Sequence, residues 1–302
     1  MANEVGICYG SKKKDYKEAI KWYKKCTKIN PQYMSCYNNI GVNYELLKKY
    51  EEAKIWYFRA IEKEETYKAP HANLYDIFKE LKASDEDILS LAEQYETKEE
   101  KFCYYFGLAC YDKKKIEESI KWIQKAITIN PNSHAYHNSI GISYDDLKDY
   151  EMAIFHYMRC MELNPKYHSA YYNIAIVYKA MKNEEKAIEW YKKAIEVNPR
   201  YSYAYNNLAN IYKNRKEYEE AIKYYKKAVQ HNSTYTLAYV NMGVCALNIE
   251  NYRVAYEALA RASAVMENDN DNLSQNNKDF IKPHFERFKK EGESWRKLGF
   301  CS

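Results

Sequence analysis

Apolar residues recur along most of this chain with the spacing of an amphipathic α-helix. In the segment AYNNLANIYK, the stripe at i, i+3, i+4 and i+7 consists of Tyr205, Leu208, Ala209 and Tyr212. The polar residues of the same segment lie off this stripe. Only 8 Gly and 6 Pro are present among the 302 residues, so few helix breakers interrupt the pattern. The pattern predicts an all-α protein built from successive helices.

The helical segments repeat at a fixed interval. Segments that align without gaps begin at Tyr37, His137, Tyr171 and Tyr205. An alanine recurs every 34 residues at Ala153, Ala187, Ala221 and Ala255. A period of this length is typical of solenoid proteins, whose single units cannot bury their apolar face and therefore stack on one another.

These features resemble the tetratricopeptide repeat (TPR) family. Each unit of that family is an antiparallel helix pair with a small residue at position 8, aromatic residues at 11 and 24, Ala at 20 and 27, and Pro at 32. Position 8 here holds Gly41, Gly107, Gly141, Ala175, Ala209 and Gly243, and position 20 holds Ala53, Ser119, Ala153, Ala187, Ala221 and Ala255. The resemblance implies a right-handed superhelical solenoid of stacked antiparallel helix pairs, with about eight repeats.

The repeat frame divides the chain into predicted units. A first repeat covers 1–33, starting inside its first helix, and a second covers 34–67. Residues 68–99 are two short of a full unit and carry Tyr75 and Asp87 where small residues are expected. They predict a degenerate repeat that bends or loosens the stack like a hinge, the alternative being a functional insert. Five regular repeats follow over 100–269, and 270–302 predicts a polar linker and a C-terminal capping helix.

Composition favours an intracellular protein. The net charge is only +5 and the lysines are scattered, which favours a solvated surface over a nucleic-acid interface. The sequence contains no secretory signal and no apolar run long enough for a membrane helix. The 8 Cys lack metal-ligand spacing, and Cys26 and Cys160 are predicted to be buried thiols. We expect a reducing, cytoplasmic setting, or membership of a ciliary or nuclear complex.

Catalytic and metal-binding motifs are missing from the sequence. It has no nucleophile elbow, phosphate-binding loop, dinucleotide fingerprint or zinc-protease motif. His134, His137 and His168 could approach one another across repeats, but no acidic or thiolate residue is fixed beside them. Residues 267–278 begin like a calcium loop but depart from it at the sixth and twelfth positions. We predict no enzyme activity, no metal and no cofactor.

The resemblance places a ligand groove on the first helix of each unit. At the groove positions this sequence has Asn39, Asn138, Tyr172, Asn173, Lys179, Tyr203, Asn206, Asn207, Asn210, Lys213 and Asn241. A carboxamide offers donors and an acceptor that match a peptide bond. The implied site is a ladder holding an extended backbone, similar to that of O-linked N-acetylglucosamine transferase and the peroxisomal targeting-signal receptor. The alternative is that these asparagines are structural or reflect codon bias.

The leading functional hypothesis is a non-enzymatic adaptor or scaffold that binds an extended peptide segment of a partner protein. One alternative is a structural subunit of a large assembly, of ciliary or cell-cycle type. Another is the repeat region of a larger enzyme such as an O-GlcNAc transferase, suggested by the start inside a helix. The C-terminal EEVD tail of chaperones is disfavoured, because Lys101 is the only base at the relevant clamp positions. We expect no nucleic acid, membrane or small-molecule substrate as a partner.

Overall fold

The computed structural model describes residues 1–64, 66–94 and 99–268. The predicted linker and capping helix over 270–302 lie outside the described residues, as does most of the segment that resembles a calcium loop. The described residues divide into two compact units, one from Met1 to Asn164 and the other beginning at Pro165. Both units are all-α, and their consecutive helices form stacked pairs, which confirms the predicted fold class.

The first unit contains ten helices over its described residues. They are α1 (Ala2–Ile7), continued by a π-helical turn (Cys8–Lys12), α2 (Tyr16–Ile29), α3 (Met34–Leu46), α4 (Tyr50–Lys63), α5 (Lys68–Glu80), α6 (Asp85–Gln94), α7 (Glu99–Asp112), α8 (Ile116–Ile129), α9 (His134–Asp146) and α10 (Tyr150–Leu163). The second unit contains α11 (His168–Ala180), α12 (Glu184–Val197), α13 (Ser202–Asn214), α14 (Tyr218–His231), α15 (Thr236–Asn248) and α16 (Tyr252–Asn268).

Each helix pair turns back on itself through one residue in the left-handed region. In the α9–α10 pair this residue is Lys148, with φ 63°. Its N–H bonds to Asp145 O at 2.8 Å, and the N–H of Asp149 bonds to Tyr144 O at 2.9 Å, which closes the end of the first helix. Asp149 Oδ1 then accepts from the N–H of Met152 at 3.2 Å and caps the second helix. The same conformation recurs at Lys14, Lys48, Lys82, Lys114, Lys182, Lys216 and Glu250.

The small residue of a first helix lies directly against a large side chain of the second helix, which is a tyrosine in most pairs but Ile123 at Gly107 and Leu259 at Gly243. A Cβ added to Gly141 would lie 2.7 Å from Cε1 of Tyr157, closer than packed carbon atoms approach. Tyr157 itself is buried. In the second unit, Ala175 and Tyr191 fill the corresponding places and are also buried. Close helix approach over a small residue, with a large and usually tyrosine side chain filling the remaining space, is therefore the packing rule of the regular pairs.

The pair α5–α6 departs from this rule. Tyr75 stands where the other first helices have a small residue, and its side chain is buried. Over the described residues, α6 has little close backbone contact with α5, and α7 packs against α5 instead. The bulk of Tyr75 explains why the two helices of this pair do not close. A bend or hinge in the stack at this pair stays a prediction.

One cysteine prediction is wrong. Cys26 is not a free thiol, because it forms a disulfide with Cys36. The turn between α2 and α3 brings the two Cα atoms to 6.4 Å, within the range that a disulfide spans. Cys160 is buried and free as predicted, and burial raises the pKa of its thiol to about 12.

The length and polarity of the helices bear on membrane crossing. Within the described part of the chain, none is both long and apolar enough to span a bilayer.

Candidate functional site

The second unit carries most of the predicted groove residues on its first helices, α11, α13 and α15. Asn207 Nδ2 on α13 donates to the Tyr172 hydroxyl on α11 at 2.8 Å. Lys213 Nζ on α13 donates to Asn241 Oδ1 on α15 at 3.0 Å. These two bonds join α11 to α13 and α13 to α15 through predicted residues, and we call the surface along these three helices the α11–α13–α15 face.

Polar residues of neighbouring first helices bond to each other at a regular spacing. The bonded pairs are Asn38 with Asn73 at 3.2 Å, Tyr104 with Ser139 at 3.0 Å, and Tyr172 with Asn207 at 2.8 Å. Each pair is 35 residues apart and joins position 5 of one repeat to position 6 of the next. The predicted ladder therefore uses part of its hydrogen-bonding capacity within the protein.

Several predicted contact residues are inaccessible. Asn138, Asn206 and Asn241 are 7%, 3% and 6% exposed. Helix packing covers these three amides, so the proposed contacts with a partner are assigned below to more exposed residues of the same helices. Asn39, in the first unit, is half-buried, and its Nδ2 donates to Asn3 Oδ1 at 3.3 Å.

Two further asparagines lie on the α11–α13–α15 face. Asn173 is half-buried on α11, one repeat before Asn207. Asn210 Oδ1 accepts from the Tyr225 hydroxyl at 2.5 Å and from Asn241 Nδ2 at 3.4 Å. Asn210 therefore holds the second helix α14 and the next first helix α15 in place, and its acceptor is already occupied.

Tyrosine rings form a continuous surface at the start of α11, α13 and α15. Tyr201 lies 5.1 Å from Tyr172 and 5.8 Å from Tyr203, measured between ring centroids, and Tyr203 lies 5.5 Å from Tyr235. Burial raises the pKa of both Tyr201 and Tyr235 to about 12, so these rings are neutral. Tyr203 is 50% exposed and offers an aromatic platform to an incoming side chain.

The other end of the same face is basic. Lys213 is half-buried and Lys179 is exposed. Burial lowers the pKa of Lys213, and the charge of Lys179 lowers it further. Lys213 is bonded to the neutral amide of Asn241, and it has no carboxylate partner among the described residues of the second unit. A positive charge in this setting is stabilised by any anion that reaches it.

His137 lies against a histidine on the second helix of its own repeat. His137 Nδ1 lies 3.0 Å from Nδ1 of His156, and His137 Nε2 lies 3.1 Å from Pro131 O. Sequence reasoning missed this pair, although the same two repeat positions hold rings in other pairs, as in Tyr37 with Trp56 at 6.0 Å. Across residues 1–64, 66–94 and 99–268, no three potential metal ligands lie together.

Stacked helix pairs with a 34-residue period and this turn chemistry define a helical repeat protein. Sequence models described as the tetratricopeptide repeat match residues 134–167, 168–201 and 202–235, and also 3–33, 35–64 and 100–133. These matches cover more than half of the chain. The chain belongs to the tetratricopeptide repeat family.

Solved structures with the same fold are distant in sequence. PilF of Pseudomonas aeruginosa is 15% identical, with 85% of this chain and 97% of that chain covered and a TM-score of 0.50. A double mutant of MamA (RS-1) is 19% identical, with 58% and 99% covered and a TM-score of 0.50. YrrB, described as a TPR protein with an unusual peptide-binding site, is 20% identical, with 60% and 95% covered and a TM-score of 0.38. No curated protein matches the sequence.

Proposed function

We propose that this protein is a non-enzymatic adaptor that holds an extended segment of a partner protein on the α11–α13–α15 face. TPR proteins mediate protein–protein interactions. The observation that carries the proposal is a half-buried lysine without a carboxylate partner at one end of this face, with an exposed aromatic surface at the other end. Such a face fits a segment that combines an acidic side chain with an apolar or aromatic one.

Lys213 is the reason why we expect an acidic side chain in the partner segment. It is desolvated, it lies near the charge of Lys179, and its bonded partner Asn241 is neutral. A carboxylate that approaches Lys213 gains a charge-assisted hydrogen bond in a partly dry site, where such bonds are stronger than at the open surface. The bond from Lys213 to Asn241 keeps the ammonium group in place, so less side-chain entropy is lost when the anion binds.

Tyr203 and its neighbours are the reason why we expect an apolar or aromatic side chain in the partner segment. The ring of Tyr203 is 50% exposed and is supported from both sides by Tyr201 and Tyr235. A rigid, partly exposed ring contributes contact area at a low entropic cost, which is why tyrosine is frequent in binding surfaces. We infer that an apolar side chain of the partner packs on this ring.

Asn207 supplies the backbone contact in this proposal. One of its amide hydrogens is donated to the Tyr172 hydroxyl, and its amide also interacts with the buried Tyr191 hydroxyl. This side chain is half-buried, and a primary amide has two donor hydrogens, so we infer that it bonds to a peptide carbonyl of an extended segment. The ladder predicted from the sequence is thereby reduced to Asn207, with Asn173 one repeat before it.

Selection from a displayed library of random peptides tests the proposal. We expect the purified protein to enrich peptides with an acidic residue a few positions from an apolar or aromatic residue. The double variant Lys179→Glu, Lys213→Glu should lose this enrichment. The matched control Lys192→Glu, Lys226→Glu makes the same charge change on exposed positions of α12 and α14 and should retain it. Enrichment that survives in the first variant, or is lost equally in both, would refute the proposal.

The location of the adaptor and its repeat boundaries stay predictions from the sequence. We propose a cytoplasmic protein divided into repeats over 1–33, 34–67, 68–99 and 100–269. The state of Cys26 and Cys36 in cells tests the location, because structural disulfides are rare in the cytosol. Alkylation of both thiols in freshly lysed cells would support the cytoplasmic proposal, and a resistant disulfide would contradict it.

A further inference from the structure

Helix α13 contacts the next first helix, α15, at both of its ends. At its start, the ring of Tyr203 packs on Tyr235, the residue that precedes α15, with 5.5 Å between the ring centroids. At its end, Lys213 Nζ donates to Asn241 Oδ1 of α15 at 3.0 Å. A ligand that contacts both Tyr203 and Lys213 therefore follows the line between the two helices, which we call the α13–α15 seam.

One charged side chain lies along this seam. The helices α13 (SYAYNNLANIYKN) and α15 (TLAYVNMGVCALN) contain no Asp, Glu, Arg or His, and Lys213 is their only lysine. The charge of Lys179, at the end of α11, acts on the same end of the seam. Burying a carboxylate without a counter-charge is costly. An acidic side chain of a partner therefore has one favourable position along the seam, which is beside Lys213.

The distance between the aromatic and the basic contact point follows from helix geometry. Tyr203 and Lys213 are ten residues apart on one uninterrupted helix, which corresponds to about 15 Å at the helical rise per residue. An extended chain rises about 3.3 Å per residue, so it covers this distance in four to five residues. Side chains of an extended chain alternate between its two sides, so only an even separation directs both of them at the seam.

We propose that the α13–α15 seam selects extended segments in which an acidic residue and an apolar or aromatic residue are four positions apart. The acidic residue lies at Lys213 and the other at Tyr203. Four positions cover about 13 Å in an extended chain, and the flexible stem of a lysine covers the remainder. This spacing preference rests on the proposed function, to which it adds the length and the conformation of the bound segment.

Two features of the seam follow from this spacing. Asn207 lies four residues after Tyr203, about 6 Å along the helix axis, so it is level with the middle of the bound segment, where a peptide carbonyl is within its reach. A helical partner rises only about 1.5 Å per residue and needs about ten residues to join the same two points. The separation that binds best therefore distinguishes an extended partner from a helical one.

Fluorescence anisotropy with labelled synthetic peptides measures the preferred separation. Each peptide carries one Trp and one Glu in a Gly/Ser/Thr chain, separated by two, three, four, five or six positions, in both orders. An Ala-rich helical peptide with a separation of ten is a further probe. In the order that binds better, we expect the separation of four to bind at least about tenfold more tightly than the others, because they lose the charge-assisted hydrogen bond or the ring contact.

Variants connect the preferred separation to the seam. Lys213→Met and Tyr203→Ala each remove one contact point and should bind all separations equally weakly, with an unchanged circular dichroism spectrum. The matched control Lys192→Met changes an exposed lysine of α12 and should keep the preference. Binding that depends on Lys213 but is tightest at another separation, or with the helical peptide, overturns the spacing preference and leaves the adaptor proposal standing. Absence of binding by every peptide, or binding that is indifferent to Lys213→Met, contradicts both.

Discussion

Stability of the α9–α10 pair should depend on pH because two histidines replace the aromatic rings found elsewhere. His156 is 4% exposed, its ring is stacked on Tyr144 at 5.5 Å, and Phe155 lies edge-on at 5.1 Å. The bond from His137 to Pro131 O assigns the proton of His137 to Nε2, so Nδ1 of His137 accepts from Nδ1–H of His156. Protonation of either ring turns this bond into a repulsion between two donors.

The size of the effect follows from the pKa of His156. Burial, and next the neighbouring His137, lower this pKa from 6.5 to about 4. Between about pH 6.5 and pH 4, His156 therefore binds a proton in the unfolded chain but not in the folded chain. The free energy of unfolding is unaffected by this residue above about pH 6.5 and decreases as the pH falls below that value. The loss is about 2 kcal/mol at pH 5 and approaches about 3 kcal/mol at pH 4. Burial lowers the pKa of His137 as well, which acts in the same direction.

A matched control exists within the chain. At the same two repeat positions the second unit has Tyr171 and Trp190, with ring centroids at 6.1 Å, and the Tyr171 hydroxyl donates to Pro165 O at 3.1 Å. The double variant His137→Tyr, His156→Trp copies this arrangement and removes the titrating groups. Carboxylates titrate alike in both proteins, so the difference between them isolates the histidines.

The assay is urea unfolding followed by circular dichroism between pH 8 and pH 5. We expect the unmodified protein to lose about 2 kcal/mol more than the double variant over this range, with most of the loss below pH 6.5. Equal losses in the two proteins, or a larger loss in the double variant, would refute the account of this pair.

Three other predictions concern stability. Reduction of the Cys26–Cys36 disulfide should lower the free energy of unfolding by about 3 kcal/mol, because it frees a short loop in the unfolded chain. Thermal unfolding with and without reductant measures this, and Cys26→Ser should show no response to reductant. Gly141→Ala should destabilise the protein by about 1 to 2 kcal/mol in urea unfolding, because the new Cβ clashes with the ring of Tyr157 and this outweighs the gain in helix propensity. Lys182→Gly should stabilise it by about 0.5 to 1 kcal/mol, since φ is 60° at this residue, and an unchanged urea midpoint would contradict that reading.

The fold was predictable because single residues at fixed positions of each repeat determine how its two helices pack. A small residue such as Gly141 and a ring such as Tyr157 recur at fixed places, and each predicts the close approach of two helices. The disulfide was not predictable in the same way. Cys26 falls at a position where buried alanines are usual, and only the geometry of the turn brings Cys36 to it.

The sequence was sufficient to predict which helix face carries the candidate site. It was not sufficient to predict which side chains on that face are exposed or which of them bond to each other. Helical spacing places Asn206 beside Asn207, but burial differs between them, since Asn206 is 3% exposed and Asn207 is half-buried. Which amide bonds to which neighbour depends on the offset between repeats. Tyr172 and Asn207 are 35 residues apart, one more than the repeat period. This offset could be read from the sequence, but only the structure shows that the two side chains form a hydrogen bond.

The most direct test of the adaptor proposal is a double-mutant cycle between Lys213 and the acidic residue of a selected peptide. Isothermal titration calorimetry would measure the Kd for the unmodified protein and for Lys213→Met, each with the acidic peptide and with its amide analogue. We expect a coupling of about 1 to 3 kcal/mol between Lys213 and the acidic residue, because the charge pair is partly desolvated. Independent effects of the two changes, with a coupling near zero, would contradict the assignment of Lys213 as the anion-binding group.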